Sequence, residues 1–407
     1  MSNNNLKKSF IWNTLGTGLN SFNSLFFLII TTRINGINDA GIFTLCFATS
    51  CMFYCIAVYS GRTYQVTETQ KDITDNDYIL NRIITSIIMI LISILFGLIK
   101  GYHNTKFIVL LFLTLFKVIE AISDVFHGIL QKNERLDIVG KSLFIRSLLN
   151  ILLFLIIDIL TKDLILSCMS LIISNLIVLF TIDIKQSFNY KENIKKSNKK
   201  SVLKIFTLGF YTFAFMLIGN YLINIPRYSI DSLNNESLQT IFGIIIMPAT
   251  MIMLVSQFIL QPVITKLKEN YIKKDKKSFL NIIKKLCLYV AIIGVICIVI
   301  CYFLGIPFLN LLYGLKLDEY LIHLIIILFG ATLYTLSNIF TNAIIIFRKT
   351  KMQFCIYLFV SIISYILSNY LITIFGFNGA VYSYSIMMAL LLFFNLIYFL
   401  IIIKKKN

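Results

Sequence analysis

The stretch Phe107–Gly128, FIVLLFLTLFKVIEAISDVFHG, is long and apolar enough for a membrane-spanning helix, yet it contains three charged side chains. These are Lys117, Glu120 and Asp124, followed by His127 and, just beyond the stretch, by Gln131. At ~100° per residue the five positions fall within roughly an 80° arc, here called the polar stripe. Because a charge at the bilayer centre costs about 2.5–3.5 kcal/mol, the polar stripe must face protein or water rather than lipid. The stretch therefore predicts a helix packed inside a membrane bundle.

The composition of the whole chain agrees with a polytopic membrane protein. Of its 407 residues, 58% are hydrophobic and 14% are charged, whereas globular proteins carry about a quarter charged residues. The mean hydropathy is +0.83. Apolar segments of spanning length recur along the chain, and we count twelve of them, which predicts an all-α integral membrane protein.

Lysine and arginine alternate strongly between the loops on the two sides of the predicted membrane. One side holds the basic runs Lys191–Lys204 and Lys266–Lys285 together with both termini. The other side holds only a few basic residues: Arg33, Lys100, Lys106, Lys162, Arg227 and Lys316. By the positive-inside rule both termini are cytoplasmic. The net charge of +18 is then a topology signal, and the basic runs predict contact with anionic lipids rather than with nucleic acid.

The Lys-rich run Lys185–Lys204 divides the chain into two sets of six spans. Each set begins with a helix that carries glycine and asparagine and ends at an arginine, Arg33 in one and Arg227 in the other. An even number of spans gives both halves the same orientation, which is a parallel repeat with a pseudo-two-fold axis along the membrane normal. We therefore predict an N-lobe, residues 1–190, and a C-lobe, residues 191–407. Pro248 should interrupt the eighth span.

Three local stretches in the predicted topological places resemble the polysaccharide-biosynthesis, or Wzx-type flippase, branch of the multidrug/oligosaccharidyl-lipid/polysaccharide exporter superfamily. They are Thr32–Gly36 with Asp39–Phe43 and Gly61–Thr67, Lys117–Gln131 with Arg135–Ser142 and Arg146, and Asn224–Tyr228 with Gln261–Pro262. The resemblance covers nearly the whole chain. It implies two six-helix lobes arranged as a V around a central cavity, in the cytoplasmic membrane of a bacterium.

The resemblance also implies a function. A Wzx-type flippase moves an undecaprenyl-diphosphate-linked oligosaccharide from the cytoplasmic to the outer leaflet by alternating access, for capsule, exopolysaccharide or O-antigen synthesis. Such a protein is not an enzyme and needs no cofactor beyond a possible coupling H⁺ or Na⁺. A polysaccharide polymerase is a possible partner.

A diphosphate cargo requires fixed cations, since arginine pairs with phosphate through two hydrogen bonds and lysine acts as a point charge. The candidate cations are Arg33, Arg62, Lys117, Arg146 and Arg227. The candidate hydrogen-bond groups for sugars are Asn20, Asn220 and Asn224. Each of these candidate residues has a structural role as the alternative to binding cargo. Arginines near span ends also extend to lipid phosphates, and asparagines also join helices.

Glu120 and Asp124 have two possible roles. They either neutralise Lys117 and a neighbouring arginine, or one of them binds the coupling ion. Two other functions remain open. A cation-coupled drug antiporter of the same superfamily should have an acidic, aromatic cavity. A membrane polymerase or glycosyltransferase should have a larger outer loop than the stretch Asn224–Ser237, the longest here.

Overall fold

The computed structural model describes residues 3–59, 61–66, 73–190, 197–273, 275–347 and 349–405. These residues form helices joined by short turns. Thr67 of the first motif and the part of the run Lys191–Lys204 before Ser197 lie outside the described residues. The chain folds into two compact units, Met1–Leu217 and Ile218–Asn407. The predicted lobe boundary at 190/191 concerns the repeat and stays a prediction.

The first unit is built from helices that follow one another through short connections. They are α1 (Asn3–Ile34), α2 (Ile37–Val58), α3 (Gly61–Val66), α4 (Asp75–Ile99), α5 (Asn104–Lys132), α6 (Leu136–Thr161), α7 (Leu164–Val178), α8 (Lys185–Phe188) and the first half of α9 (Lys199–Asp231). A π-helical turn, Leu179–Ile184, joins α7 to α8 without a break. The stretch that contains the polar stripe is therefore helical throughout, as predicted.

The second unit holds the rest of α9 and the remaining helices. They are α10 (Glu236–Ile245), α11 (Met247–Ile272), α12 (Lys276–Ile300), α13 (Ile306–Tyr313), α14 (Leu321–Ile346), α15 (Thr350–Phe375) and α16 (Phe377–Lys405). A π-helical turn, Cys301–Gly305, joins α12 to α13. The eighth predicted span is broken between α10 and α11, and Pro248 lies in the first turn of α11, as predicted.

Ten helical segments among the described residues are long and apolar enough to cross a membrane. The helices α1 and α5 are of comparable length but are not among these ten. Both contain polar side chains, such as Asn20 in α1 and Lys117 in α5. A polar side chain in a membrane-spanning helix is expected to face protein or water rather than lipid.

Several pairs of helices in contact repeat between the two units. In the first unit α2, α4 and α7 pack against α5, and α6 packs against α7. In the second unit α11, α12 and α16 pack against α14, and α15 packs against α16. With α5 matched to α14, α6 to α15 and α7 to α16, the pairs correspond. This packing agrees with the parallel repeat that the sequence predicts.

Several helices begin at side chains that accept hydrogen bonds from the first turn. Thr74 and Asp77 form a capping box at α4, and Asp163 accepts from Ile165 N at α7. Asp275 caps α12, where hydrogen bonds from the backbone and hydroxyl of Ser278 hold the pKa of its carboxyl below the usual value. These caps fix where α4, α7 and α12 start, and so fix the helix registers.

The helices α1 and α6 approach each other at two glycines. A Cβ added to Gly16 would overlap the carbonyl oxygen of Gly140, and one added to Gly140 would overlap the backbone of Trp12. The ring of Trp12 packs against Phe144 with centroids 6.0 Å apart. Small residues allow this backbone contact, as they do between membrane helices in general.

We expect Gly16→Ala to destabilise the protein by about 3 kcal/mol, because the new methyl group meets backbone that cannot move aside. Gly18→Ala is the matched control, since a Cβ at Gly18 has nothing within 4 Å. The control should be neutral or more stable by about 1 kcal/mol through helix propensity. Thermal unfolding in detergent measures the difference, and equal midpoints for the two variants would contradict the close α1–α6 contact.

Candidate functional site

Lys117 lies near the middle of α5 in a cage of aromatic rings, here called the Lys117 cage. Its Nζ donates to Glu120 Oε2 at 2.7 Å. The same nitrogen lies 4.8 Å from the ring centre of Phe116, 4.9 Å from that of Phe47 and 5.9 Å from that of Tyr54. The Lys117 and Glu120 side chains are 13% and 11% exposed. A largely buried cation is therefore held in place by one carboxylate and by ring faces.

Asp124 lies one turn further along α5 and joins two arginines, forming the Asp124 network. Arg82 Nη2 lies 3.2 Å from Asp124 Oδ2, and Arg62 Nε lies 3.7 Å from Oδ1. Arg82 also donates to the Ala57 carbonyl at 3.1 Å, which Thr85 Oγ1 reaches at 2.6 Å. The side chain of Arg82 is 5% exposed, whereas that of Arg62 is 32% exposed. Arg62 is thus the more loosely held and more accessible cation.

The short helix α3 positions Arg62 by packing closely on α5. Gln65 is fully buried, and its Nε2 donates to the Val125 carbonyl at 3.0 Å. A Cβ on Gly128 would overlap Gln65 Oε1, so the absence of a side chain at Gly128 makes room for this contact. Residues 61–66 of the first motif thus meet the α5 motif, which is far away in sequence.

His127 belongs to a third group of side chains, the Asp183 cluster, at the junction of α5, α6 and the π-helical turn. Asp183 accepts hydrogen bonds from Arg146 Nη2 and Ser142 Oγ, and Asp183 Oδ1 lies 3.0 Å from His127 Nε2. Arg146 also donates to Ser123 Oγ at 2.6 Å. Arg146 is 1% exposed and Asp183 is fully buried, so this ion pair is closed to solvent.

The polar stripe therefore does not form one site, because its members contact different residues on other helices. Its sequence alone holds one base and two acids, a negative balance. The three groups together hold four cations, Arg62, Arg82, Lys117 and Arg146, and three carboxylates, Glu120, Asp124 and Asp183. Counting the lysine, arginine, aspartate and glutamate side chains, the balance is one positive charge, which favours an anionic ligand.

The other predicted residues of the first unit lie on α1. Arg33 is exposed in the last turn of α1. Asn20 is half-buried, and its Oδ1 accepts from Ser147 Oγ at 3.2 Å and from Asn23 Nδ2 at 3.4 Å. These two contacts leave the amide Nδ2 of Asn20 to other partners.

The remaining predicted residues lie on α9 in the second unit. Asn224 Nδ2 donates to the Asn220 carbonyl at 2.9 Å, and both side chains are half-buried. Arg227 is 7% exposed and lies 5.6 Å from the ring centre of Phe242. Gln239 donates to the backbone carbonyl of Arg227 at 2.6 Å. α9 thus carries the three predicted residues of this unit in its C-terminal part.

Sequence reasoning missed Arg82 and Asp183 as members of these groups. The positive-inside rule uses a basic residue such as Arg82 only to orient the chain, and hydropathy treats the stretch around Asp183 as part of an apolar span. An acid in the apolar run Leu179–Ile184 was the signal available for Asp183. Among the described residues, no three His, Cys, Asp or Glu side chains are grouped so that they can hold a metal ion.

Comparison with known sequences identifies a relative in polysaccharide synthesis. No protein-family model matches the chain. The capsular polysaccharide biosynthesis protein CapF of Staphylococcus aureus is 27% identical over 346 residues, which cover 83% of this chain and 85% of CapF. The resemblance to polysaccharide-biosynthesis proteins inferred from the motifs is thereby confirmed.

Comparison with solved structures identifies the fold. An inward-facing multidrug-resistance MATE family transporter of the MOP superfamily matches with a TM-score of 0.77 at 10% identity, over 97% of this chain and 98% of its own. The lipid II flippase MurJ matches with a TM-score of 0.72 at 16% identity, over 95% and 87% of the chains. VcmN, a MATE transporter of Vibrio cholerae, matches with a TM-score of 0.63 at 12% identity, over 99% and 98%. The all-helical membrane-transporter fold is confirmed, and the comparisons support a membrane flippase or transporter.

Proposed function

We propose that this protein is a flippase for an oligosaccharide linked to undecaprenyl diphosphate, and that it serves the synthesis of a surface polysaccharide. The relative CapF and the fold shared with MurJ support a lipid-linked sugar as the cargo. Transport of this kind moves the polar head across the bilayer without forming or breaking covalent bonds. The lipid tail stays in the bilayer.

The accessibility of Arg62 is the observation that carries the proposal. The contact between Arg62 Nε and Asp124 is long, at 3.7 Å, and 32% of the side chain is exposed. A diphosphate offers a fork of oxygens to the guanidinium, which is a stronger partner than one distant carboxylate oxygen. Asp124 also contacts Arg82, at 3.2 Å, so the acid has a second cationic partner if Arg62 turns to a ligand. The Asp124 network can therefore release one cation without leaving the acid unpaired.

Lys117 is the second cation of the proposed site. Its side chain is only 13% exposed, and an anion that reaches it interacts in a lower dielectric, where Coulomb attraction is stronger than in water. Glu120 then keeps Lys117 in position when no cargo is bound. Arg146, by contrast, is closed inside the Asp183 cluster, so we do not include it among the residues that contact phosphate in this arrangement.

The three acids of these groups are paired with cations, which argues against an antiporter site at this place. A drug or cation antiporter requires a carboxylate that is open to a cationic ligand. Glu120 is bonded to Lys117, Asp124 lies between two arginines, and Asp183 is bonded to Arg146. We therefore assign Glu120 and Asp124 the role of structural partners for cations rather than that of the coupling-ion site.

We also propose which residues bind the sugars and in which membrane the protein lies. Asn20, Asn220 and Asn224 supply hydrogen bonds to sugar hydroxyls, and Arg227 and Arg33 supply further cations. We place the protein in the cytoplasmic membrane of a bacterium with both termini inside, following the positive-inside rule. The basic segments then contact anionic lipids, and a polysaccharide polymerase receives the translocated units.

The test is the effect of Arg62→Ala in a strain whose chromosomal copy is deleted. Losing a charge-assisted hydrogen bond costs about 1.5–3 kcal/mol, so surface polysaccharide should fall about tenfold to hundredfold while lipid-linked oligosaccharide accumulates. Arg62→Lys should restore part of the output, because it keeps the charge but not the fork. Lys185→Ala, which removes an exposed cation of α8, is the control. A wild-type amount of surface polysaccharide in the Arg62→Ala strain would contradict a cationic binding site that includes Arg62.

A further inference from the structure

The polar stripe of α5 has a counterpart at matching positions of α14, and two buried junctions set the register between these helices. In the Asp183 cluster, α5 contributes Ser123 and His127. In the second unit, the amide of Asn395 on α16 donates to Ser337 and Thr341 of α14, at 2.8 Å and 3.2 Å. Both pairs are four residues apart, and each lies at the same distance from the end of its helix. We therefore match the two pairs.

In this register the charged positions of the polar stripe correspond to uncharged side chains in α14. The matching residues, named in pairs, are Ala331 with Lys117, Tyr334 with Glu120, and Asn338 with Asp124. The first unit thus has a cation and two acids where the second unit has a small apolar side chain, a phenol and an amide. Positions that are equivalent in the repeat therefore suit different classes of ligand.

Tyr334, Asn338 and Asn342 form a neutral polar face of α14, here called the α14 stripe. At ~100° per residue the three positions fall within roughly an 80° arc. All three side chains are half-buried. Phe329, which is 53% exposed as expected of a lipid-facing residue, lies roughly 140–180° from them around the helix. Because polar side chains in a span face protein or water rather than lipid, the α14 stripe faces away from lipid.

Side chains outside the α14 stripe join α14 to α15 and α16. They are Ser337 and Thr341, which are at most 4% exposed. Within the stripe, Asn342 Nδ2 donates to the backbone carbonyl of Asn338 at 2.7 Å, and the Asn338 side chain lies beside the Tyr334 hydroxyl. Both contacts stay within the helix. Since an amide has two N–H donors and a carbonyl that accepts twice, Asn338 and Asn342 have further hydrogen-bonding positions for a ligand.

The helix α9, which carries Asn220 and Asn224, approaches the same part of the second unit at Tyr357 of α15. The Tyr357 hydroxyl lies 3.4 Å from Thr341 Oγ1 of α14. A Cβ added to Gly219 of α9 would lie 3.4 Å from Tyr357 Cε1. Because Gly219 directly precedes Asn220, one tyrosine contacts both α14 and the part of α9 that carries a predicted sugar-binding residue.

A second tyrosine, Tyr384 of α16, also links α9 to α14. It lies within range of electrostatic interaction with Tyr334 of α14 and Arg227 of α9. Its hydroxyl is buried and has no hydrogen-bond partner in the part of the chain that the structure describes. A buried hydroxyl without a partner costs stability, so such groups are nearly always satisfied. A polar ligand group beside Tyr334 and Arg227 would supply the missing bond.

We propose that the α14 stripe binds the sugars of the cargo, whereas the cations of the first unit bind its diphosphate. Sugar hydroxyl and acetamido groups are neutral donors and acceptors, as are the amides of Asn338 and Asn342. Tyr334 adds an apolar ring face together with a polar hydroxyl. The three members of the stripe contain no cation, so they offer phosphate no charged partner. The two halves of the repeat thus recognise two chemical parts of one polar head.

The sugar site rests on the proposed function and extends it from α9 to α14. The proposed function depends on the diphosphate and on Arg62, whereas the sugar site depends on the α14 stripe. The two can therefore be tested separately by comparing a lipid diphosphate that carries sugars with one that does not.

Binding of two lipids to the purified full-length protein in nanodiscs makes this comparison. One lipid is undecaprenyl diphosphate without sugar, and the other is the lipid-linked oligosaccharide extracted from cells that produce the protein. Wild-type protein should bind the second lipid more tightly. The double variant Asn338→Ala/Asn342→Ala loses two hydrogen bonds, so it should bind the oligosaccharide lipid at least about fivefold more weakly. Its affinity for undecaprenyl diphosphate should stay at the wild-type value.

Two control variants accompany the double variant. Arg62→Ala should weaken binding of both lipids by the same factor, because both carry the diphosphate. Phe329→Ala, on the lipid-facing side of α14, should bind both lipids as wild type does. A folded double variant that binds the oligosaccharide lipid like wild type, or that loses affinity for both lipids equally, would overturn the sugar site alone. Wild-type protein that binds neither lipid would contradict the proposed function and the sugar site with it.

A labelling experiment tests the same surface through a single substitution. In Asn342→Cys, a water-soluble maleimide should label the new thiol, which peptide mass spectrometry separates from the eight native cysteines. At ten times its dissociation constant, the oligosaccharide lipid should slow this labelling about tenfold, whereas undecaprenyl diphosphate should not. Lys349→Cys, at an exposed residue beyond the end of α14, should be labelled at one rate with either lipid. A thiol at position 342 that is not labelled without lipid, or is labelled equally with both lipids, would overturn the proposal.

Discussion

Replacing Lys117 by alanine is expected to abolish surface polysaccharide while the protein remains in the membrane at its normal level. The substitution removes a cation that is 13% exposed and held by Glu120 and three rings. Losing a buried charge contact of this kind costs about 2–5 kcal/mol, so export should fall by at least about 30-fold. Polysaccharide on the cell surface and protein in isolated membranes are the two quantities to measure.

The control for Lys117→Ala lies on the same helix. Lys106 also lies over an aromatic ring, that of Tyr102 at 4.7 Å, but it is near the start of α5. Lys106→Ala should leave polysaccharide output at the wild-type level, and Lys117→Arg should retain part of it. We expect Arg227→Ala to block export as well. Normal output from both Lys117→Ala and Arg227→Ala would contradict a cationic binding site.

Replacing Asp183 by alanine is expected to destabilise the protein by about 3–5 kcal/mol, because it leaves Arg146 buried without its carboxylate. Asp183→Asn keeps hydrogen-bond acceptors but not the charge, so its loss should be smaller. Asp163→Ala is the matched control at the start of the same helix, where an exposed carboxylate caps α7. The control should lose about 1 kcal/mol.

Thermal unfolding of the purified variants in detergent compares these losses. The midpoint for Asp183→Ala should lie well below that for Asp163→Ala, with Asp183→Asn between them. Equal midpoints for the two alanine variants would mean that the buried ion pair with Arg146 does not form, and the Asp183 cluster would then lose its role in joining α5, α6 and α7.

The polar stripe illustrates how far the sequence predicts this structure. Helical spacing correctly placed Lys117, Glu120 and Asp124 on one face of α5, and hydropathy required that this face be covered by protein. Spacing describes one helix alone, however, and says nothing of which residues on other helices meet that face. Packing between helices divides the stripe into three groups. It also brings Arg82 and Asp183 into two of them.

The residues that hold the helices together were equally hard to predict. The contact of Gly16 with Gly140 joins α1 to α6 across more than a hundred positions of sequence, and single glycines in apolar helices do not reveal their partners. The break at Pro248 was predictable, because proline inside a span removes a backbone hydrogen bond, although Pro226 lies inside the unbroken helix α9.

Translocation by the purified protein in liposomes tests the central claim most directly. Lipid-linked oligosaccharide is placed in the inner leaflet, and a membrane-impermeant glycosidase added outside cuts the sugars that reach the outer leaflet. Wild-type protein is expected to expose the oligosaccharide to the enzyme, and Lys117→Ala is expected to leave it protected. Protection with wild-type protein equal to that in protein-free liposomes would contradict the claim that this chain is a lipid-linked oligosaccharide flippase.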